Sequence, residues 1–310
     1  MRTLFLSHPR YRDHLAPENH PEQPERIVAI ERQLEGEAFQ HLIRDTARPV
    51  TDTEIQRIHP AAYVDHIRIQ APHDGLMMSI SSDTILSNGT YEAARLASGA
   101  ACLAVDEVMT GLVDNAFSAA RPPGHHASAR QAMGFCFFNH AAIAARHAQA
   151  AHGAERVAIV DFDVHHGNGT QNIFYSDRTV FYASIHQAQL FPGTGETSET
   201  GIDGNILNLP LGAGANGAAV LEAMTGAVLP AVEAFRPDLL VLSAGFDAHF
   251  RDPLGDLNLV EADYGTLTRA LMEVADRVCG GRVVSLLEGG YDIDALGLSA
   301  AAHVSALMGH

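Results

Sequence analysis

Lysine is missing altogether from this 310-residue chain. The 20 basic residues are all arginine, and 37 acidic residues leave a formal charge of −17. The absence excludes a Schiff base on the chain itself and any phosphate-binding loop that depends on lysine. Positive charge is too sparse to form the stripe that displaces counterions from nucleic acid, so no nucleic-acid partner is expected. The negative surplus is read as a solubilising surface, although it would also draw cationic molecules from a distance.

Cysteine is nearly as scarce. Cys102, Cys136 and Cys279 lie too far apart for a disulfide framework or a zinc knuckle, and are read as small buried apolar side chains. No apolar run approaches the ~20 residues that span a bilayer, so no membrane partner is expected. The first residues, Met1 to Ser7, hold too short an apolar stretch for a signal peptide and read as a strand; a cytoplasmic protein is the expectation. There is no Gly-x-Ser-x-Gly elbow, and Gly167-Asn-Gly169 lacks the third spaced glycine of a dinucleotide fingerprint. No linker, repeat or low-complexity segment interrupts the chain, which predicts one domain over residues 1–310.

What the sequence does contain is a regular alternation. Short β-rich runs at Ala116–Ala120, Val157–Phe162, Val180–Ile185, Ile206–Leu209, Leu239–Ser243 and Val283–Leu287 alternate with helical patterns near 139–152, 216–234, 261–279 and 292–308. Helical patterns at 23–35 and 90–110 precede them, and 70–88 and 193–205 read as loops. The alternation predicts an α/β fold: a mainly parallel central sheet with helices on both faces, in three layers. After most strands the chain turns polar. Five strand ends run into His125-His126, Asp163-Val-His165, His186, Asp247 and Tyr291. In open parallel sheets those ends share one edge, where ligands bind, so all five segments are expected at one crevice.

Asp161, Asp163 and His165 stand at i, i+2 and i+4, and on an extended strand they would point to one side. Two carboxylates and an imidazole are costly to bury together without a cation. With Asp247 they suggest a catalytic metal set, since structural zinc usually closes with four Cys or His ligands. On spacing alone Asp161 is as good a ligand as its neighbours. Zn2+ suits these donors, and Fe2+, Co2+ or Mn2+ could replace it. Singly, each residue could equally be a loop cap or a satisfied core histidine. The adjacent His125 and His126 suit proton transfer to and from a bound water, and Tyr291, after two glycines, could donate to a developing oxyanion.

Taken together, Arg121-Pro-Pro-Gly-His125-His126, Gly134-Phe-Cys-Phe-Phe-Asn139, Asp161-Phe-Asp163-Val-His165-His166-Gly-Asn168, Phe191-Pro-Gly-Thr-Gly195, Ser243-Ala-Gly-Phe-Asp247 and Glu288-Gly-Gly-Tyr291 resemble the zinc-dependent histone deacetylase superfamily, of arginase/deacetylase fold, over residues 15 to 308. The resemblance implies that Asp163, His165 and Asp247 bind zinc. It implies that His126 is the principal base and acid, with His125 its electrostatic partner. Asp161 would orient His125 and join a structural K+ or Na+ site with Asp163, His165 and Ser184. Asn168 would hold His126, as in the class II branch, and Tyr291 would bond the scissile carbonyl. Gly134, Phe135, Phe191 and Leu254 would line the substrate tunnel, with Arg26 near its inner end.

The implied substrate is a small amide or an acyl-lysine peptide, with a homo-oligomer left open. Leu254 stands where a polyamine-specific branch resembling this family carries glutamate, and residues 72–90 have no entrance-narrowing insertion; both weaken an acetylpolyamine reading. A non-catalytic acyl-lysine binding module and a two-metal hydrolase of arginase type compete with the deacetylase expectation.

Overall fold

The computed structural model describes residues 1–310. Runs of aliphatic and β-branched residues form ten strands: β1 (Thr3–Ser7), β2 (Ile43–Thr46), β3 (Met77–Ser79), β4 (Ile85–Ser87), β5 (Asn115–Ser118), β6 (Val157–Asp161), β7 (Val180–Gln187), β8 (Ile206–Leu211), β9 (Leu239–Ala244) and β10 (Val283–Leu287). Strands β3 and β4 make a small antiparallel hairpin. The other eight form one sheet in the order β2-β1-β5-β10-β9-β6-β7-β8, and every pairing in it is parallel.

Ten α-helices accompany them: α1 (Glu25–Leu34), α2 (Asp52–Ile55), α3 (Ala61–Gln70), α4 (Thr90–Met109), α5 (His140–His152), α6 (Asn168–Phe174), α7 (Gly217–Ala223), α8 (Leu229–Phe235), α9 (Glu261–Cys279) and α10 (Ile293–Leu307). The three-layer expectation holds. Strands β5, β6, β9 and β10 are buried along their whole length, as central parallel strands covered on both faces should be. The core is one connected apolar cluster reaching from Leu4 to Met308.

The differences from the sequence-based expectations have local causes. Strand β2 escaped notice because all four of its residues are exposed at the sheet edge, leaving no apolar alternation. Residues 70–88 contain the hairpin, whose strands are three residues long. Residues Gly217–Phe235 are continuous helix through a π-turn at Met224–Val228, just before Pro230, which has no N–H to give a regular turn. This helix, with mean hydropathy 1.4, is long and apolar enough to cross a membrane by length and composition, contrary to the expectation of no such run. It carries Glu222 and Glu233 and packs on α9.

The topology decides which loops meet. Strands β5, β10, β9 and β6 are adjacent although far apart in sequence, so their carboxyl ends deliver four polar loops to one place.

Candidate functional site

Strand β6 ends at Asp161, so Asp163 and His165 lie beyond the ladder and strand phase is not what gathers them. A chain of backbone caps does so instead. Asp161 Oδ1 accepts the Asp163 N–H at 3.1 Å, and Asp163 Oδ1 accepts the His165 N–H at 2.9 Å. Asp247, after β9, accepts the Val164 N–H at 2.9 Å and so locks the two loops together. Gly289, after β10, donates its N–H to Asp163 Oδ2 at 2.7 Å. A β-carbon on Gly289 would overlap the Asp247 and Asp163 carboxylates, so only glycine lets this loop come so close.

The result is a compact set of donors. One candidate ligand atom from each of Asp163, His165 and Asp247 lies within 4.8 Å of the others, and all three residues are buried. His165 Nδ1 is 3.1 Å from Asp163 Oδ1 and 3.1 Å from Asp247 Oδ2. The only ion-pair neighbours of the two carboxylates are histidines. Burial and the facing charge of Asp163 raise the Asp247 pKa above the usual carboxylate range. Burial alone would lower His165, but its bonds to the two carboxylates raise it to about 10. Excess negative charge of this kind, with two hard oxygen donors and one imidazole, fits a divalent cation.

The histidine pair sits beside it, with ring centroids 4.0 Å apart. Its loop is anchored by the buried Arg121, whose Nε and Nη2 donate to the Glu22 carboxylate at 2.8 and 2.7 Å. His125 Nδ1 is 3.0 Å from Asp161 Oδ2, which also accepts the Tyr182 hydroxyl at 3.0 Å. Its Nε2 is 3.8 Å from Asp163 Oδ1. Burial opposes charge on His125, but the Asp163 and Asp161 carboxylates outweigh it and hold its pKa well above the imidazole range. His126 Nδ1 is 2.8 Å from Asn168 Oδ1. Burial and the charge on His125 keep its pKa well below that range. Two adjacent imidazoles thus differ in proton affinity because one faces carboxylates and the other an amide.

A slot of about 250 Å3 leads to this centre. Phe135, Phe191, Leu190 and Leu254 form apolar walls, with Asp83 and Tyr291 as polar members, and the buried His126 and His165 close its inner end. The Phe191 ring meets His126 edge-on at 5.0 Å, and Phe135 meets Tyr291 at 5.8 Å. Gly134 and Phe135 both have positive φ, 56° and 66°, and Asp83 Oδ1 accepts the Gly134 N–H at 3.1 Å. Arg26 lies behind the site with its guanidinium 4.9 Å from the Tyr291 ring centre, donating from Nε to the Gly290 carbonyl at 2.7 Å.

Some expected residues lie elsewhere. His186 is inside β7, bonded to Ser184 Oγ and the Gly195 carbonyl, so it does not reach the slot; the loop after β7 supplies Leu190 and Phe191 instead. Ser184 pairs with Asp161 in the β6–β7 register, but its hydroxyl bonds His186. His249 faces Glu261 and Asp256 accepts from Gln187, so neither adds ligands for a second metal. Sequence reasoning missed Asp83, Leu190, Tyr182, Asp252 and the role of Glu288. Asp83 fell in a stretch read as loop, and nothing in the sequence links Tyr182 to Asp161.

Two more groups of ligand-type atoms meet at His147, one with Glu54 and Cys102, the other with Asp106 and His152. Both imidazole Nε2 atoms stand 2.7 Å from Asp106 Oδ1, Arg57 bonds His147 Nδ1 at 2.7 Å and Arg48 pairs with Glu54. Those are hydrogen-bond separations beside two guanidinium groups, which makes this a charge network tying α2, α4 and α5 together.

Comparison with known proteins identifies the family. The histone deacetylase domain family matches residues 20–307. The chain is 42% identical over 281 residues to the histone deacetylase-like amidohydrolase of Pseudomonas aeruginosa, covering 89% of this chain and 73% of that protein. It is 34% identical over 300 residues to a probable deacetylase of Archaeoglobus fulgidus, covering 95% and 82% respectively. The solved HDA15 HD domain superposes with a TM-score of 0.94 at 38% identity, over 100% of this chain and 88% of that one. The chain therefore belongs to the histone deacetylase family, whose members are hydrolytic and generally metal-dependent, and it has that family's mostly parallel α/β fold.

Proposed function

We propose that the protein is a zinc-dependent amidohydrolase that removes acetyl or another short acyl group from acyl-lysine or related linear amides, with residues 1–310 as one catalytic domain. One arrangement carries the reading: the buried Asp163, His165 and Asp247 donors lie at the inner end of a slot whose wall also holds His126 and Tyr291. Zn2+ suits these three ligands with room for water and a carbonyl, and Fe2+, Co2+ and Mn2+ have related preferences. Such an ion supplies Lewis-acid polarisation of the amide carbonyl and makes a water molecule more acidic.

The chain's own residues do the rest. The apolar walls at Phe135, Phe191 and Leu254 hold an extended acyl-bearing arm and exclude water. His126 is neutral, its Nδ1 proton occupied by Asn168, so Nε2 takes the proton from the attacking water. His125 stays charged against Asp161 and supports the charge that develops next to it. Tyr291 donates its hydroxyl proton in a hydrogen bond to the carbonyl oxygen as that oxygen gains charge. The histidine pair returns a proton to the departing amine. Asp161, with Asp163, His165 and Ser184 around it, is also assigned to a structural K+ or Na+ site.

Leu254 on the slot wall offers no carboxylate to a polyamine, which favours acyl-lysine amides. The test is hydrolysis of an acetyl-lysine amide by protein loaded in turn with Zn2+, Fe2+, Co2+ and Mn2+, followed by acetylpolyamines and longer-acyl amides. An intact fold that cleaves none of them under any loading removes the amidohydrolase reading.

A further inference from the structure

Glu288 is a fully buried carboxylate that the proposed chemistry does not use. No arginine side chain bonds its carboxylate. One oxygen, Oε2, accepts two consecutive backbone N–H groups, from Gly124 at 2.7 Å and His125 at 3.0 Å. The other, Oε1, accepts the Ser243 hydroxyl at 2.9 Å. The three hydrogen-bond donors to Glu288 are neutral, the charge of His125 only partly offsets its burial, and an apolar residue of that size would leave two orphaned amides in the interior. Something other than packing has to account for it.

The donors belong to different loops. Gly124 and His125 lie in the loop after β5 that carries the histidine pair, and Ser243 lies at the end of β9, four residues before Asp247. Glu288 opens the loop after β10 that ends in Tyr291. Its own main chain is fixed too: its N–H donates to the Ala244 carbonyl at 2.9 Å and its carbonyl accepts from Arg26. Three residues on, the Tyr291 N–H donates to the buried Asp252 carboxylate at 2.7 Å. The loop bearing the phenol is therefore pinned at both ends, and one of those pins also grips the peptide leading into His125-His126.

We propose that Glu288 is a positioning residue that sets the separation of the His125–His126 pair from Tyr291 across the slot. It does so through the geometry of its two oxygens rather than through its charge. The proposal rests on the reading that His126 and Tyr291 act on opposite sides of one carbonyl. The Glu288 carboxylate bonds none of the three candidate metal ligands, which are capped by Asp161, Val164 and Gly289.

Two substitutions separate geometry from charge. Glu288→Gln keeps the length and an oxygen that accepts both amides, and its NH2 can donate to Ser243. Glu288→Asp keeps the charge but is one methylene short of bridging both loops. In zinc-loaded protein assayed on an acetyl-lysine amide, Glu288→Gln should retain kcat within about threefold, whereas Glu288→Asp should lose on the order of 10²-fold, the usual cost of ~1 Å of misplacement. KM and zinc content per folded chain should stay near those of the parent in both. Equal kcat in Glu288→Asp and the parent overturns the proposal, as does a Gln variant that falls as far as the Asp variant. Loss confined to folded or zinc-loaded fraction also overturns it, because that is stability without positioning. If the Asp variant does not fold, the Gln variant decides by its kcat. A parent protein that turns over no amide fails the amidohydrolase reading instead, and the two failures are distinct.

Discussion

His126 Nδ1 stands 2.8 Å from the side-chain oxygen of Asn168, a contact that favours the proton on Nδ1. An amide oxygen only accepts, so neutral His126 is protonated at Nδ1 and its Nε2 is left with a free lone pair. The neighbouring His125 has a carboxylate in the corresponding place. The difference between an amide and an acid at one hydrogen bond separates a base from a cation.

Replacing His126 with alanine should lower kcat by about 10²–10⁴-fold, the usual contribution of a general base, while zinc content stays near one per chain. Asp247→Ala should lose the metal itself. Elemental analysis beside steady-state kinetics checks both, and metal loss in the His126 variant would show that the histidine is a ligand.

Tyr291→Phe removes one donor to the carbonyl oxygen and leaves the ring over Arg26 in place. A drop of about 10²–10³-fold in kcat with little change in KM is expected, as for other single oxyanion donors. A rise in KM alone would make Tyr291 a binding wall.

The proposed roles of the histidine pair predict the pH profile. His126 must be neutral, and its pKa lies below the usual 6.5, so activity is full above 6.5 and falls only as pH drops through that lowered value. His125 is proposed to act charged, and Asp163 and Asp161 hold its pKa above 6.5 in the metal-free protein, so an alkaline limb is expected as pH rises through its raised value. A plateau straddling pH 6.5 results. Asp161→Asn weakens the charge holding His125, so its alkaline limb should move to lower pH; kcat measured against pH on a neutral amide reads this directly.

Gly289→Ala should be damaging out of proportion to its size. The added methyl would press on the Asp247 and Asp163 carboxylates. Zinc affinity should fall sharply while the circular dichroism spectrum keeps its shape. Unchanged zinc titration in this variant would mean that the two carboxylates have room to spare.

Acid stability depends on histidines away from the site. Burial lowers His59 to about 3, His140 to about 4 and His303 to about 3. His59 is fixed neutral, accepting the Asn139 N–H at 2.9 Å on Nε2 and donating from Nδ1 to the Ala129 carbonyl. Below pH 6.5 the unfolded chain binds protons that the folded one refuses, so stability present above 6.5 is lost as pH falls towards these values. Each histidine contributes up to about 1.4 kcal/mol per pH unit in that window. Denaturant midpoints from pH 7 to pH 4.5 should fall steeply, and His303→Asn should flatten the slope.

The sequence by itself determined the alternation of strands and helices, because strand and helix periods are written in local apolar patterns. It also placed His125, His126, Asp163, His165, Asp247 and Tyr291 after strand candidates. It could not sort Asp161 from Asp163, since both fit the same spacing. Only the structure shows β6 stopping at Asp161, whose carboxylate turns to His125 and Tyr182 while Asp163 turns to His165. His186 was misplaced because the apolar pattern ends β7 two residues early. The order β5-β10-β9-β6 is invisible to local patterns, since it depends on pairing between residues 43 to 168 positions apart. Asp83 against Gly134 and Glu288 against Gly124 were hidden for the same reason. Residue types fix what chemistry is available, and long-range packing decides which of them share a proton or a cation.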